Sequence, residues 1–246
     1  MRKVMMRGAV VSSLLLASLP VCANFHLMKV VEVFPGTAAS PNAQYIVLQM
    51  YTGGQNVLGG HSLTVFNAAG TLVTTLTFPA MPASLPNGAS QDKVLIATTQ
   101  AQTFFTLTPD LVMTPVLPVA GGKVCFESVD CVSWGNYSGS SAGVGTPYNL
   151  ATGLVSGQAA IRRLNISGSP TLLESTDDTD NSASDFAPGT PAPRNNARIN
   201  GTLPPSTCPN GVIEALEECD DNNSINNDFC TNDCTISLNI FSDGFE

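Results

Sequence analysis

The sequence predicts an all-β chain: one β-sandwich followed by a small disulfide-stapled module. Two observations carry this. Residues 25–164 are poor in charge and rich in Val, Leu, Thr and Gly, with short apolar runs broken by turn residues and no sustained helical period. The last forty residues hold four cysteines among acids and amides without a single Lys or Arg, too little apolar matter for a core. Such a segment stays folded only on covalent staples, a bound cation, or both.

The amino terminus reads as a secretory signal peptide over residues 1–23: Arg2, Lys3 and Arg7 are basic, 8–19 are apolar, and Val21-Cys22-Ala23 is a small-residue cleavage site. A lipidated Cys22 is the alternative, against which Val21 stands where a lipoprotein box wants Gly, Ala or Ser. No stretch after it reaches the roughly 20 apolar residues that a transmembrane helix needs.

Candidate strands follow at 26–33, 45–51, 62–66, 71–78, 93–98, 123–126, 131–134 and 159–164. Pro35-Gly36, Gly53-Gly54, Gly59-Gly60, Ala69-Gly70, Asn87-Gly88 and Gly121-Gly122 punctuate them. Gln100 to Phe105 has room for one helical turn. Alternation puts Tyr45 with Val47, Leu63 with Val65, and Val124 with Phe126 on common faces, all read as core. Trp134, the sole tryptophan, is expected inside the sandwich, with a carbohydrate-stacking ring as the sharper alternative. Cys125 and Cys131 flank a short turn, so a hairpin would bring them to bonding distance.

The sandwich is expected to run over 24–188. Its acidic stretch, with Asp177, Asp178, Asp180 and Asp185, reads as a solvated, turn-rich edge. Residues 189–207, with five of the chain's prolines nearby, read as an extended linker, 208–234 as the cysteine module, and 235–246 as a tail and candidate sorting signal.

Without residues 1–23 six cysteines remain. Their grouping predicts one bridge between Cys125 and Cys131 and two among Cys208, Cys219, Cys230 and Cys234; the four allow three connectivities, which the sequence leaves open. Disulfides imply an oxidising compartment. Loss of the leader leaves seven basic residues against 19 acidic, taking the formal charge from −9 to −12. Such a polyanion is repelled by phosphate backbones, which argues against a nucleic-acid partner.

Several phrases, in order, resemble the bacterial lamin-tail domain: Val30-Val-Glu-Val33, Tyr45-Ile-Val-Leu48, Gly60-His61-Ser-Leu63, Val94-Leu-Ile-Ala-Thr98, Pro109-Asp110, Gly121-Gly122, Asp130-Cys-Val-Ser-Trp-Gly135, Arg162, Asp177-Asp-Thr-Asp180, Asp185-Phe186 and Thr190-Pro191-Ala-Pro193. The resemblance covers most of residues 26–196 and implies an immunoglobulin-like sandwich on a secreted bacterial protein. The chain departs from it at Ile46-Val47-Leu48, where that family usually places an acid. The cysteine segment resembles the myxococcal-type cysteine-rich repeat through Cys208-Pro-Asn-Gly211, Glu214, Glu218-Cys-Asp-Asp-Asn-Asn223 and Asp228-Phe-Cys230; Asn222 and Phe229 stand where glycines are usual. The tail from Ile240 is similar to a short ending seen on other exported bacterial proteins.

Among sites for chemistry, calcium is the first candidate, with Asp220, Asp221 and Asp228 as carboxylate ligands on a constrained loop. An EF-hand is excluded, because Ile225 replaces its Gly and Thr231 its bidentate Glu; turn-forming Asx residues are the competing account. Zinc is disfavoured, since exported thiolates oxidise and paired C-x-x-C spacing is lacking. For hydrolysis the only bases of the right type are His26 and His61, and no G-x-S-x-G elbow occurs. Glu127 and Asp130 form an acid pair on a tight turn, where exposure to solvent is the simpler expectation. The expected function is that of a secreted or cell-surface, non-catalytic interaction or structural protein whose partner is an extracellular protein or polysaccharide. Calcium-dependent polysaccharide binding is the first alternative and an extracellular hydrolase the second.

Overall fold

The structure is a computed structural model that describes residues 27–226 and 228–237. The signal-peptide segment, Cys22, His26 and the tail from residue 238 lie outside them. Ten strands form: β1 (Met28–Phe34), β2 (Tyr45–Met50), β3 (Ser62–Asn67), β4 (Leu72–Thr77), β5 (Lys93–Thr98), β6 (Leu111–Met113), β7 (Gly121–Phe126), β8 (Asp130–Gly135), β9 (Ala159–Arg162) and β10 (Phe186–Gly189). They build a six-stranded sheet, β10-β9-β1-β2-β5-β6, and a four-stranded sheet, β4-β3-β7-β8. This is the all-β sandwich with a disulfide module that the sequence predicts.

The core between the sheets takes one face of each. Val30, Val33, Ile46, Leu48, Val94 and Ile96 come from the larger sheet and Leu63, Val65, Val124, Phe126, Val132 and Trp134 from the smaller. Trp134 is fully buried and donates its indole N–H to the Pro118 carbonyl at 2.7 Å, which excludes the exposed stacking ring. Burying each such side chain stabilises the fold by about 1.5–3 kcal/mol.

The larger sheet is covered on its outer face as well, which explains why β1 and β2 are buried along their whole length. There a second cluster joins Phe34, Tyr45, Val47, Leu95 and Ala97 to Phe105 of a short helix, α1 (Thr99–Phe105), and to Leu173, with Leu203 and Leu216 packed against it. Thr98 starts α1 by accepting the Ala101 N–H on its side chain, and Thr106 ends it in the left-handed conformation, φ 50°. The helix turns the chain so that β6 runs parallel to β5. In β1, a bulge between Val30 and Glu32 resets the alternation, so that Val30 and Val33 both face the inter-sheet core.

The proline stretch is a buttress over 190–203, where its composition suggests an extended linker. Asn195 and Asn196 are buried. Asn196 donates its N–H to Asp110 at 2.8 Å, accepts the Asn87 N–H at 2.9 Å, and gives its side-chain amide to the Asn87 carbonyl at 2.8 Å. Buried Asn side chains with satisfied polar groups hold this segment on the sheet, an effect that proline content cannot reveal.

Candidate functional site

The charged side chains that the sequence scatters along the chain meet at one buried cluster around Arg162. Its Nη2 contacts both oxygens of Asp130 at 2.9 and 2.8 Å. Its Nε donates to the Val30 carbonyl at 2.8 Å and Nη1 to the Asp177 carbonyl at 3.1 Å. Asp178 and Asp185 lie 3.5 and 3.7 Å from Nη1, and the guanidinium sits over the Phe186 ring at 4.8 Å. Asp130 also accepts the Val30 N–H at 2.6 Å, and Lys29 pairs with Asp178. Since Asp130 opens β8 in the smaller sheet while Arg162 ends β9 in the larger, their buried ionic contact, one guanidinium nitrogen to both carboxylate oxygens, ties the sheets together.

Two expectations are corrected here. Asp130 is buried, 5% exposed, and not a solvated turn residue. Asp177 and Asp185 are likewise buried, at 0% and 2%. Arg162 draws Asp130 and Asp185 inward, while Asp177 and Asp185 also bond to the backbone of their own loop: Asp177 accepts the Glu174 N–H at 2.9 Å, and Asp185 the Thr179 N–H at 3.0 Å. Burial pushes the Asp130 carboxyl up to about 6 in spite of Arg162. Burial also acts to raise Asp178, but the Lys29 hydrogen bond and the Arg162 and Lys29 charges outweigh it and leave that carboxyl below its ordinary value. The difference between two acids sharing the same cations follows from depth, because Asp130 is the more fully enclosed.

The cysteines close as Cys125–Cys131, Cys208–Cys234 and Cys219–Cys230. The first joins directly opposed residues of β7 and β8, and the other two nest one loop inside another. The three acids considered for calcium act as turn acceptors. Asp220 takes the N–H groups of Asn210, Gly211 and Asn222 at 2.8–2.9 Å, which hold its carboxyl below the usual range. Asp221 accepts the Asn223 N–H at 3.2 Å, and Asp228 accepts from the Asn223 amide and the Cys230 N–H. Among the described residues, the one gathering of three metal-capable side chains is Cys208, Asp220 and Cys234. Its two sulfurs are bonded to each other, so they offer no thiolate to a metal. Asn222 holds φ 60°, a left-handed conformation that Asn tolerates better than most residues.

Comparison with protein-family models, curated proteins and solved structures gave no match. His61 lies 3.4 Å from Glu127 on the hairpin surface, and Glu127 accepts the Ser62 N–H at 2.6 Å. Asp130, the other half of the acid pair, is engaged with Arg162. The loop that holds Ser138, Ser140 and Ser141 is pinned by Ser138, whose N–H bonds the Ala68 carbonyl at 2.7 Å. Sequence reasoning missed the Arg162 cluster, although one signal was present: Arg162 follows Ala160 at the two-residue spacing of an inward-facing strand position.

Proposed function

We propose that this chain is a secreted or cell-surface, non-catalytic interaction or structural protein, built as a lamin-tail-like sandwich with a cysteine-rich repeat appended. The observation that carries the reading is the closure of six cysteines as three disulfides, since such bonds persist in oxidising compartments. No helix among the described residues is long and apolar enough to cross a membrane. The phrases behind the lamin-tail resemblance, from Val30 through Asp130 and Arg162 to Asp185-Phe186, supply the ionic cluster that ties the sheets, so in this reading they maintain the fold and leave contact to the loops.

Mass mapping of the protein recovered from intact cells and medium tests the proposal. The expected result is a chain beginning after Ala23, with all three bridges intact and reached by protease added outside the cell. Recovery of a cytoplasmic chain that retains residues 1–23 and free thiols would overturn it.

A further inference from the structure

The described residues include seven basic side chains. Lys29, Arg162 and Arg198 are in ion pairs with acids, and Lys123 lies over the rings of Phe66 and Tyr137. Of the remaining three, Lys93 and Arg194 line one groove of ≈ 600 Å³, together with Asn200 and Thr202 and the rings of Pro191 and Pro193. No acid lines it. In a chain of net charge −9, two cations with no ion pair among the described residues that line one cavity need an explanation.

The groove is built rather than incidental. Arg194 and Asn200 face each other in a β-bridge, Gly201 donates its N–H to the Pro193 carbonyl at 2.8 Å, and Thr202 donates to the Phe105 carbonyl at 2.9 Å. Buried Asn195 and Asn196 fix the same loop from below, through Thr108 and Asp110. Lys93 opens β5, and burial lowers its ammonium pKa, as does Arg194, while Glu32 raises it. Glu32 lies behind the wall, where its carboxylate accepts the Ala192 N–H at 2.8 Å and the Tyr45 hydroxyl. Repulsion between the two cations is relieved when an anion sits between them, and a preformed site binds without an ordering cost.

The geometry points to a binding site for a hydroxylated monocarboxylate, the chemistry of a single uronic acid unit, between Lys93 and Arg194. A guanidinium beside an ammonium suits one carboxylate, which the first holds with two prongs and the second as a point charge. The Asn200 amide and Thr202 hydroxyl make no hydrogen bond to another described side chain and offer donors and acceptors to ligand hydroxyls. The volume is in the range of small-molecule sites. A densely charged anion is disfavoured by the acidic remainder of the chain, whereas a single charge meets the least repulsion. The site stands on this geometry and does not depend on the proposed export.

Titration calorimetry of the full-length protein with galacturonate, galactose and sodium sulfate tests it. Galacturonate at up to about 10 mM should bind the natural protein, since even a millimolar site is detected there. Arg194→Gln and Lys93→Met should each weaken binding at least about tenfold, the loss expected for one charged contact, and galactose should give no signal. Should Lys93→Met fail to fold, Arg194→Glu must still abolish binding, because the Arg194 side chain is half-buried and holds no ion pair among the described residues, its β-bridge to Asn200 being made by the backbone. Tighter binding of trigalacturonate than of the monomer places the unit in a polymer, and weaker binding makes the ligand a free sugar acid. Absence of galacturonate binding, affinity unchanged in the variants that fold, or equal affinity for galactose or sulfate would overturn the assignment.

Discussion

Arg162 ties three parts of the fold together, because one side chain is bonded to β8, to β1 and to the acidic loop at once. Removing one partner of a buried ion pair leaves the others charged and unsatisfied, so Arg162→Ala should destabilise by about 3–5 kcal/mol in urea unfolding. Loss of less than about 1 kcal/mol, the value of a surface pair, would show that the cluster is held from elsewhere. Asp130 adds a pH dependence whose sign is fixed. With its folded pKa raised from 3.8 to about 6, the native state holds that proton more tightly than the unfolded chain does. Its contribution is therefore complete below pH 3.8 and lost as pH rises through 6, amounting to about 3 kcal/mol. Asp178, with a lowered pKa, contributes in the opposite sense, its stabilisation disappearing as pH falls below the ordinary carboxylate range. Unfolding free energies of the natural protein and Asp130→Asn, compared between pH 4 and 6.5, should thus diverge with pH; parallel curves would rule out Asp130 as the titrating group.

At the scale of elements, legibility followed local chemistry. Strands β2, β3, β5 and the β7-β8 hairpin were readable because their alternation and turn residues lie within a few positions of one another. Strand β10 was missed because it contains Pro188 and Gly189, which are tolerable where only β9 pairs with it at the sheet edge. Strand β6 has three residues, too short for a period. The ionic cluster needed tertiary knowledge, since its members come from β1, β8, β9 and a loop more than a hundred residues from Lys29. The cysteine pairing was readable only as a partition, and nesting had to come from the structure. These bridges differ in expected effect. Closing the short Cys125–Cys131 loop, with a separation of 6, limits unfolded-chain entropy by about 2 kcal/mol, against about 3.5 kcal/mol for Cys208–Cys234, with a separation of 26. Replacing Cys125 and Cys131 together by Ser should lower stability by about 2 kcal/mol without abolishing folding. Replacing all four distal cysteines should remove amide-exchange protection over 208–237 while the sandwich keeps its own; retained protection there would show that hydrogen bonds and Leu216 packing suffice.

For the whole molecule, charge and coverage divide the chain unevenly. No Asp, Glu, Lys or Arg occurs between Glu32 and Asp92, and the contacts that offset this neutrality arrive from the carboxyl-terminal third. Arg198 pairs with Asp92 at 2.8 Å, Asn196 reaches Asn87 and Asp110, Ala192 satisfies Glu32, and Leu203 packs on the outer apolar cluster. The larger sheet therefore depends on a segment that its composition marks as a linker. A chain ending at residue 188 would keep every strand except the last residue of β10, yet it would expose the outer cluster and leave buried Glu32 and half-buried Asp110 without those N–H donors. Each lost buried hydrogen bond removes about 1 kcal/mol, and stranded polar groups cost more, so a loss of about 5 kcal/mol is expected, comparable with the whole stability of many domains. At this size that corresponds to a fall of about 10–20 °C in melting temperature. Residues 24–203 should melt cooperatively near the full-length value, while 24–188 should melt far below it or not fold. Melting of the two within about 3 °C, the shift expected from a single kcal/mol, would return 189–203 to the role of linker.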